Sequence, residues 1–244
     1  MEVTSVRSVL LNGSYQGIAN LYYLVVRGVY VIVFARLVGV ELYGYYAYAN
    51  NWYVMLTPVA AWGMQEVLIS EYTRRGAADQ QALAGAGLSI RVLIGSAVAL
   101  IVVLAACWFE PEPELRLLII IYSQGILVRG IGNWFCGLFI DREKSIYWLS
   151  IIIPCLTLEV ALALLLAHQG QGLMAIAIAQ CAVWWLTALL AWLTYRARFE
   201  PVHLRLDKRL VSFYLRAGVT LAAASLILGC LGPGLLVVYR YLIP

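Results

Sequence analysis

The sequence predicts an all-α, polytopic integral membrane protein. A six-helix lobe fills residues 1–197, and residues 198–244 hold a basic linker and one further transmembrane helix, the start of an incomplete second lobe. Three observations predict this. Hydrophobic residues make up 63% of the chain and charged residues 12%, with a mean hydropathy of +0.85; soluble domains have about 45–50% and about 25%, so too little polar surface remains to cover a body in water. Apolar runs of bilayer length recur along the whole chain, where about 20 residues suffice for a span. The short connectors between the runs alternate in charge.

In chain order, the first run covers about 13–38. It is long and polar-striped, without a short apolar core and small-residue cleavage site, so it is expected to stay as the first span rather than be removed as a signal peptide. The second covers about 46–69 and contains Pro58; the third covers about 84–109, with Arg91 near one end, where it can snorkel to the headgroups. The fourth, about 115–139, carries Gln124 and Arg129; the fifth, about 146–168, carries Pro154 and Glu159; the sixth, about 172–195, carries Gln180. Pro58 and Pro154 are expected to bend their helices. A seventh run starts near Leu210 and passes Leu231, where Gly232-Pro233-Gly234 interrupts it. The closing "LLVVYRYLIP" is too short for another span, so it extends the seventh beyond a kink.

The connectors "VGVELYG", "EPEPE" and "HQGQG" contain no Lys or Arg. They alternate with "SEYTRRGAADQQ", "DREKS" and "RARFEPVHLRLDKR", which hold Arg74, Arg75, Arg142, Lys144, Arg196, Arg198, Arg205, Lys208 and Arg209. Positive residues collect on the cytoplasmic side of short loops, so the N-terminus and the basic loops are expected to face the cytoplasm, with "EPEPE" outside. Seven spans then leave the C-terminus outside. An odd helix beyond a complete six-helix unit implies a truncated chain or one that needs a second lobe or another copy of itself. Tyr43, Tyr45, Tyr46 and Tyr195 read as interfacial anchors.

Several residues are costly to bury. At about 100° per residue, Asn12, Gln16, Asn20, Tyr23 and Arg27 share one side of the first helix, while Ile18, Leu21, Val25, Val29 and Ile32 share the other. Amides on such a stripe serve helix packing equally well. An arginine at mid-bilayer is different, because it costs at least about 2.5–3.5 kcal/mol and must face protein, water or an anion. Arg129 and Glu159 lie near the centres of their runs at matching depth. Two arrangements accommodate them: an ion pair between adjacent antiparallel helices, or an aqueous cavity shared with Arg27 in which the arginines attract an anion. Gln124 and Gln180 are weaker cavity candidates of the same kind.

Other chemistry has little support. Cys107, Cys136, Cys155, Cys181 and Cys230 sit in apolar runs without C-x-x-C spacing, as packing residues do. His168 and His203 are isolated from any metal-ligand pattern, and no H-E-x-x-H, G-x-S-x-G or Walker-type loop occurs. No connector is large enough for a catalytic domain, so the chain reads as a non-enzyme without cofactor or metal. The net charge of +4 is too modest for a nucleic-acid partner.

Residues 35–75, "ARLVGVELYGYYAYANNWYVMLTPVAAWGMQEVLISEYTRR", carry a pattern of small-Arg-x-x-Gly, a turn, Gly with aromatics, a proline, a glycine segment and a basic loop. Ala35, Arg36, Gly39, Tyr43, Gly44, Pro58, Gly63, Arg74 and Arg75 occupy those positions. This resembles the opening of the bacterial polysaccharide or oligosaccharide flippases, the O-antigen type included, and the order of spans through Tyr195 fits too. The resemblance implies a two-lobed inner-membrane transporter, of the superfamily that also holds multidrug extruders and lipid II flippases. Such proteins move undecaprenyl-diphosphate-linked oligosaccharides to the outer leaflet by alternating access, in lipopolysaccharide or other polysaccharide synthesis. It also implies that Arg27 and Arg129 are counterparts of cavity arginines that meet the pyrophosphate. The length corresponds to a first lobe plus one helix. Two alternatives stay open: a drug/cation antiporter relying on Glu159, and a non-transporting remnant or assembly subunit whose buried charges pair.

Overall fold

A computed structural model describes residues 6–72 and 77–231 of the chain. Arg74, Arg75, the Gly232–Gly234 kink and the closing ten residues lie outside the described residues, as does the side chain of Cys230. Every regular element among the described residues is an α-helix: α1 (Val6–Val38), α2 (Val40–Ala61), α3 (Met64–Tyr72), α4 (Ala77–Phe109), α5 (Pro113–Asp141), α6 (Ser145–His168), α7 (Leu173–Arg198) and α8 (Lys208–Leu231). Six of these (α1, α4, α5, α6, α7 and α8) are long and apolar enough to cross a membrane. Helix α2 has the length, 22 residues or about 33 Å, but its tyrosines and asparagines leave it outside that set.

The anticipated second span is two helices. Trp62 (φ 51°) and Gly63 (φ 60°) are both left-handed, ending α2 before α3 starts at Met64. The break begins four residues past Pro58, whose missing N–H already removes one helical bond; the Trp62 N–H reaches back to the Pro58 and Val59 carbonyls. A left-handed tryptophan costs about 1–2 kcal/mol. Helix α8 offsets that: Trp62 donates its indole N–H to the Leu215 carbonyl at 3.1 Å. Around this contact both glycines are at close quarters. A Cβ on Gly218 would lie 2.0 Å from the Trp62 carbonyl oxygen, and one on Gly63 would lie 2.6 Å from Leu221 Cβ. Gly218→Leu is therefore expected to lower stability by about 1–3 kcal/mol, as overpacking does, read as a lower thermal midpoint in detergent. An unchanged midpoint would refute the docking of α8 on the α2–α3 break.

Helix starts and stops follow local chemistry. Pro113 stands at the start of α5, where its absent N–H is no loss, and Glu114 in the same turn complements the helix dipole. Arg196 and Arg198 close α7 at the favourable end of its dipole. Helix α4 has 33 residues, more than the about 20 a bilayer needs. Its N-terminal end carries the linker: Ser89 Oγ accepts the Arg205 N–H at 2.9 Å, and a Cβ on Gly85 would meet the His203 carbonyl at 2.2 Å.

Packing generates a ring. Helix α1 lies between α6 and α2, α6 against α7, α7 against α5, and α5 against α2, which closes the circuit; α4 backs α5 and α2 from outside, and α8 covers α2, α3 and α4. Helix α5 is the most buried span. An aromatic cluster of Tyr30, Phe34, Tyr46 and Tyr122 fills one half of the ring and Phe135, Phe139, Tyr195 and Phe199 the other. Tyr46 and Tyr195, expected at the interface, are thus core residues. Cys155 and Cys181 are buried, whereas Cys107 is exposed on the apolar side of α4.

Arg91 also departs from expectation. It does not snorkel: it is 4% exposed, packed beside Gly130 of α5, and neither Nε nor Nη1 has a hydrogen-bond partner. Glu66 acts on it electrostatically but not at ion-pair distance, and burying a cation without a contact partner is costlier than packing an apolar chain of equal volume. Arg91→Met is expected to leave the thermal midpoint unchanged or raise it. A fall equivalent to more than about 2 kcal/mol would show that Arg91 meets a partner in the membrane.

Candidate functional site

The polar stripe of α1 faces inward at Asn12, Gln16 and Arg27, with Tyr23 partly open, while the apolar residues Ile18, Leu21, Val25, Val29 and Ile32 are all exposed. The stripe does three different jobs along its length. At its N-terminal end Asn12 accepts the Ser145 N–H at 2.8 Å and lies 3.5 Å from the Ile140 carbonyl, while Gln16 donates to Ser145 Oγ at 3.2 Å. Ser145 is the first residue of α6, where the N–H has no intrahelical acceptor. Asn12 supplies that acceptor from another helix. Asn20, about 80° around the helix from Asn12, sits at the stripe's margin and is exposed.

Further along, α1 reaches the middle of the ring. Arg27 Nη2 donates to Glu159 Oε1 of α6 at 2.6 Å, with side chains 19% and 5% exposed. The pairing differs from the Arg129–Glu159 arrangement that matching depth allowed. Depth constrains which residues share a plane; the neighbour of α6 in this ring is α1, and that decides the partner. Arg129 instead donates to two phenols, from Nη1 to Tyr53 Oη of α2 at 2.7 Å and from Nη2 to Tyr23 Oη of α1 at 3.2 Å. Its guanidinium also lies 5.3 Å from the Trp184 ring centroid and 5.9 Å from those of Tyr23 and Tyr53. Among the described residues no carboxylate is within ion-pair distance of Arg129.

Two clefts meet at this cluster. One is narrow, of about 40 Å³, and runs between α1, α5, α6 and α7 towards the basic-loop end, past Asn133, Trp148 and Ile152, with Arg129 and Glu159 in its wall. The other, of about 270 Å³, runs between α1 and α2 towards the opposite end, with Arg27, Asn50, Asn51 and Tyr53 in its wall. Tyr23 lines both. The bonds Arg27–Glu159 and Arg129–Tyr53 each join a residue of one cleft to a residue of the other. The partition between the clefts is therefore made of polar, charge-assisted bonds, which a ligand can exchange for its own.

A family model described as polysaccharide biosynthesis protein matches residues 9–231, from the first turns of α1 to the end of α8. The chain belongs to the polysaccharide biosynthesis protein family. No curated protein and no solved structure is significantly similar to it. Membership together with six apolar spans makes this a multi-pass membrane protein of polysaccharide biosynthesis.

Of the residues singled out from the sequence, this family member gathers Tyr23, Arg27, Arg129 and Glu159 at one point. The others lie elsewhere. Gln180 is buried in the aromatic core, accepting from Tyr122 Oη at 2.7 Å and donating to Tyr30 Oη at 2.9 Å. Gln124 is exposed and accepts from the Trp185 indole at 3.2 Å. Asn12, Gln16, Asn20, Gln124 and Gln180 line neither cleft. For the bonded amides the reason is that the same interhelical bond that makes them tolerable in a bilayer consumes their donors and acceptors. Tyr53, Trp184, Asn50 and Asn51 were missed. The legible signal for Tyr53, Asn50 and Asn51 was the run "YAYANNWY", too polar for a lipid-facing helix and too central for a loop; nothing in its apolar run marked Trp184.

Proposed function

We propose that this protein carries an undecaprenyl-diphosphate-linked oligosaccharide, an O-antigen or other polysaccharide repeat unit, from the cytoplasmic to the outer leaflet of the bacterial inner membrane. Arg129 is the observation that carries the proposal: a fixed cation midway along α5, bonded to neutral phenols, sharing a cleft wall with Glu159 but not within ion-pair distance of it. Such a charge is costly in a bilayer unless an anion repays it. A diphosphate matches the planar guanidinium with paired oxygens and stays anionic near pH 7. The polyprenyl tail remains in lipid while the head group crosses the polar partition.

The arginines act in two roles. Arg27 is neutralised by Glu159 and shapes the site; Arg129 meets the phosphate. A cation-exporting cavity needs an acid free to meet its cargo, and Glu159 is occupied by Arg27 at 2.6 Å, which weighs against that alternative. The lobe of α1–α7 supplies one wall, and we assign α8 as the first helix of a second lobe that supplies the other. Reading the coding DNA beyond the Pro244 codon tests the second lobe, where five or more further apolar runs are expected. The transport itself is tested by expressing the whole reading frame in a strain whose flippase is deleted. Restored surface polysaccharide, with loss of lipid-linked units accumulated inside, is the expected result; unrelieved accumulation at normal protein level refutes it.

A further inference from the structure

The α1–α2 cleft has walls of a particular chemistry. Tyr23 and Tyr43 present partly open rings, Tyr30, Tyr46 and Tyr53 form a buried floor behind them, and Asn50 and Asn51 present amides. The rings are held in place by one another, Tyr46 edge-on to Tyr30 with centroids 6.3 Å apart and 6.1 Å from Tyr43. Asn50 and Asn51 are half-buried, and their side chains form no hydrogen bond with a described residue. Each amide offers two donors and an acceptor, and unmet polar groups at membrane depth are tolerated where they line a watered cavity or meet a ligand. No carboxylate lines the cleft, and its cation, Arg27, is already paired with Glu159.

This combination selects against a second anion and against a hydrocarbon. It fits flat, uncharged rings edged with hydroxyl groups, whose C–H faces lie on aromatic faces and whose hydroxyls pair with amides. The volume of about 270 Å³ lies just under the about 300–1,000 Å³ of ordinary ligand sites, so the cleft takes one end of a glycan rather than the whole of it. The cleft also abuts the Arg129 partition through Tyr23 and Tyr53, so a group bound in it is contiguous with one bound at Arg129. The geometry points to a second subsite: the α1–α2 cleft binds the neutral sugar rings of a glycan whose diphosphate sits at Arg129, with Asn50 and Asn51 as its hydrogen-bonding residues. This subsite rests on the assignment of Arg129 to the diphosphate.

The test separates the two halves of the ligand. The full chain in nanodiscs is titrated with undecaprenyl diphosphate and with the same lipid bearing a neutral trisaccharide. The glycosylated lipid is expected to bind at least about tenfold more tightly, a difference of about 1.4 kcal/mol. Asn50→Ala/Asn51→Ala is expected to erase that difference while binding the bare lipid as the parent does, which also reports that the variant is folded. Equal affinities in the parent, or a difference that survives the double substitution, overturn the sugar subsite and leave the diphosphate assignment standing. Arg129→Ala is expected to weaken both lipids; if it weakens neither, or the parent binds neither, the diphosphate assignment falls and the subsite with it. If Asn50→Ala/Asn51→Ala also loses the bare lipid, Asn50→Ser/Asn51→Ser replaces it, and the same loss there refutes separate subsites.

Discussion

Arg129→Ala is expected to abolish rescue of a flippase-deficient strain without lowering the amount of protein in the membrane. The two outcomes separate because Arg129 contributes little to the fold. Its bonds go to Tyr23 and Tyr53, whose hydroxyls are left with water in the adjoining clefts when the guanidinium is removed, and deleting a charge that lacks an ion pair at contact distance relieves part of a burial cost of about 2.5–3.5 kcal/mol or more. Stability should hold or rise while transport is lost. Arg129→Lys retains the charge but lacks the planar fork, so it cannot present two donors to two phosphate oxygens; partial rescue is expected. Surface polysaccharide and immunoblotted protein level are measured together. Full rescue by Arg129→Ala removes the anion role. Loss of the protein itself would mean that Arg129 is structural, contrary to the reading given for its phenol partners.

Breaking the Arg27–Glu159 pair should have the opposite signature, with stability affected first. Glu159 is 5% exposed and Arg27 19%, so either residue alone is a partly desolvated charge without its counterion. Removing one partner of such a pair costs about 3–5 kcal/mol, and the remaining access of Arg27 to water places the expected loss for Glu159→Leu near the lower figure. Arg27→Met should cost more than Glu159→Leu, since it strands the more buried member. Arg27→Met/Glu159→Leu should recover most of the midpoint, because an apolar pair of similar volume packs without the desolvation penalty. Thermal midpoints of the four proteins in detergent close a double-mutant cycle. Additive losses, with no recovery in the double variant, would refute direct pairing. The ion pair spans the two clefts, so the double variant is also expected to transport poorly even where its stability is restored.

The contrast between these two arginines marks where sequence reasoning stops. Both were legible as mid-span cations, and Glu159 as an acid at the right depth, because position along a run gives depth at about 1.5 Å per residue. Which cation took the acid was not legible. Depth is a one-dimensional quantity, and a partner is chosen by which helices are neighbours. The amides of the first helix were legible as an inward stripe for the same one-dimensional reason, with Asn20 at its edge left exposed. That Asn12 receives the first N–H of α6 depends on where α6 begins in space. The break at Trp62 and Gly63 was hidden for another reason: one of its two left-handed residues is a tryptophan, held in that conformation by contact with α8 rather than by its own preference.

By itself the sequence determined that this chain lives in a membrane, that its regular structure is helical, and that ionisable groups sit at mid-span. Composition, run length and helical periodicity are local properties, and in a bilayer a segment must satisfy its own backbone hydrogen bonds, so these local properties dictate the secondary structure. The ring order α1–α6–α7–α5–α2, the pairing of Arg27 with Glu159, the phenols that hold Arg129, and the tyrosine–asparagine cleft were decided only by the tertiary structure. Lipid is as apolar as a helix surface and does not dictate which helices pair; close packing and a few interhelical polar bonds do.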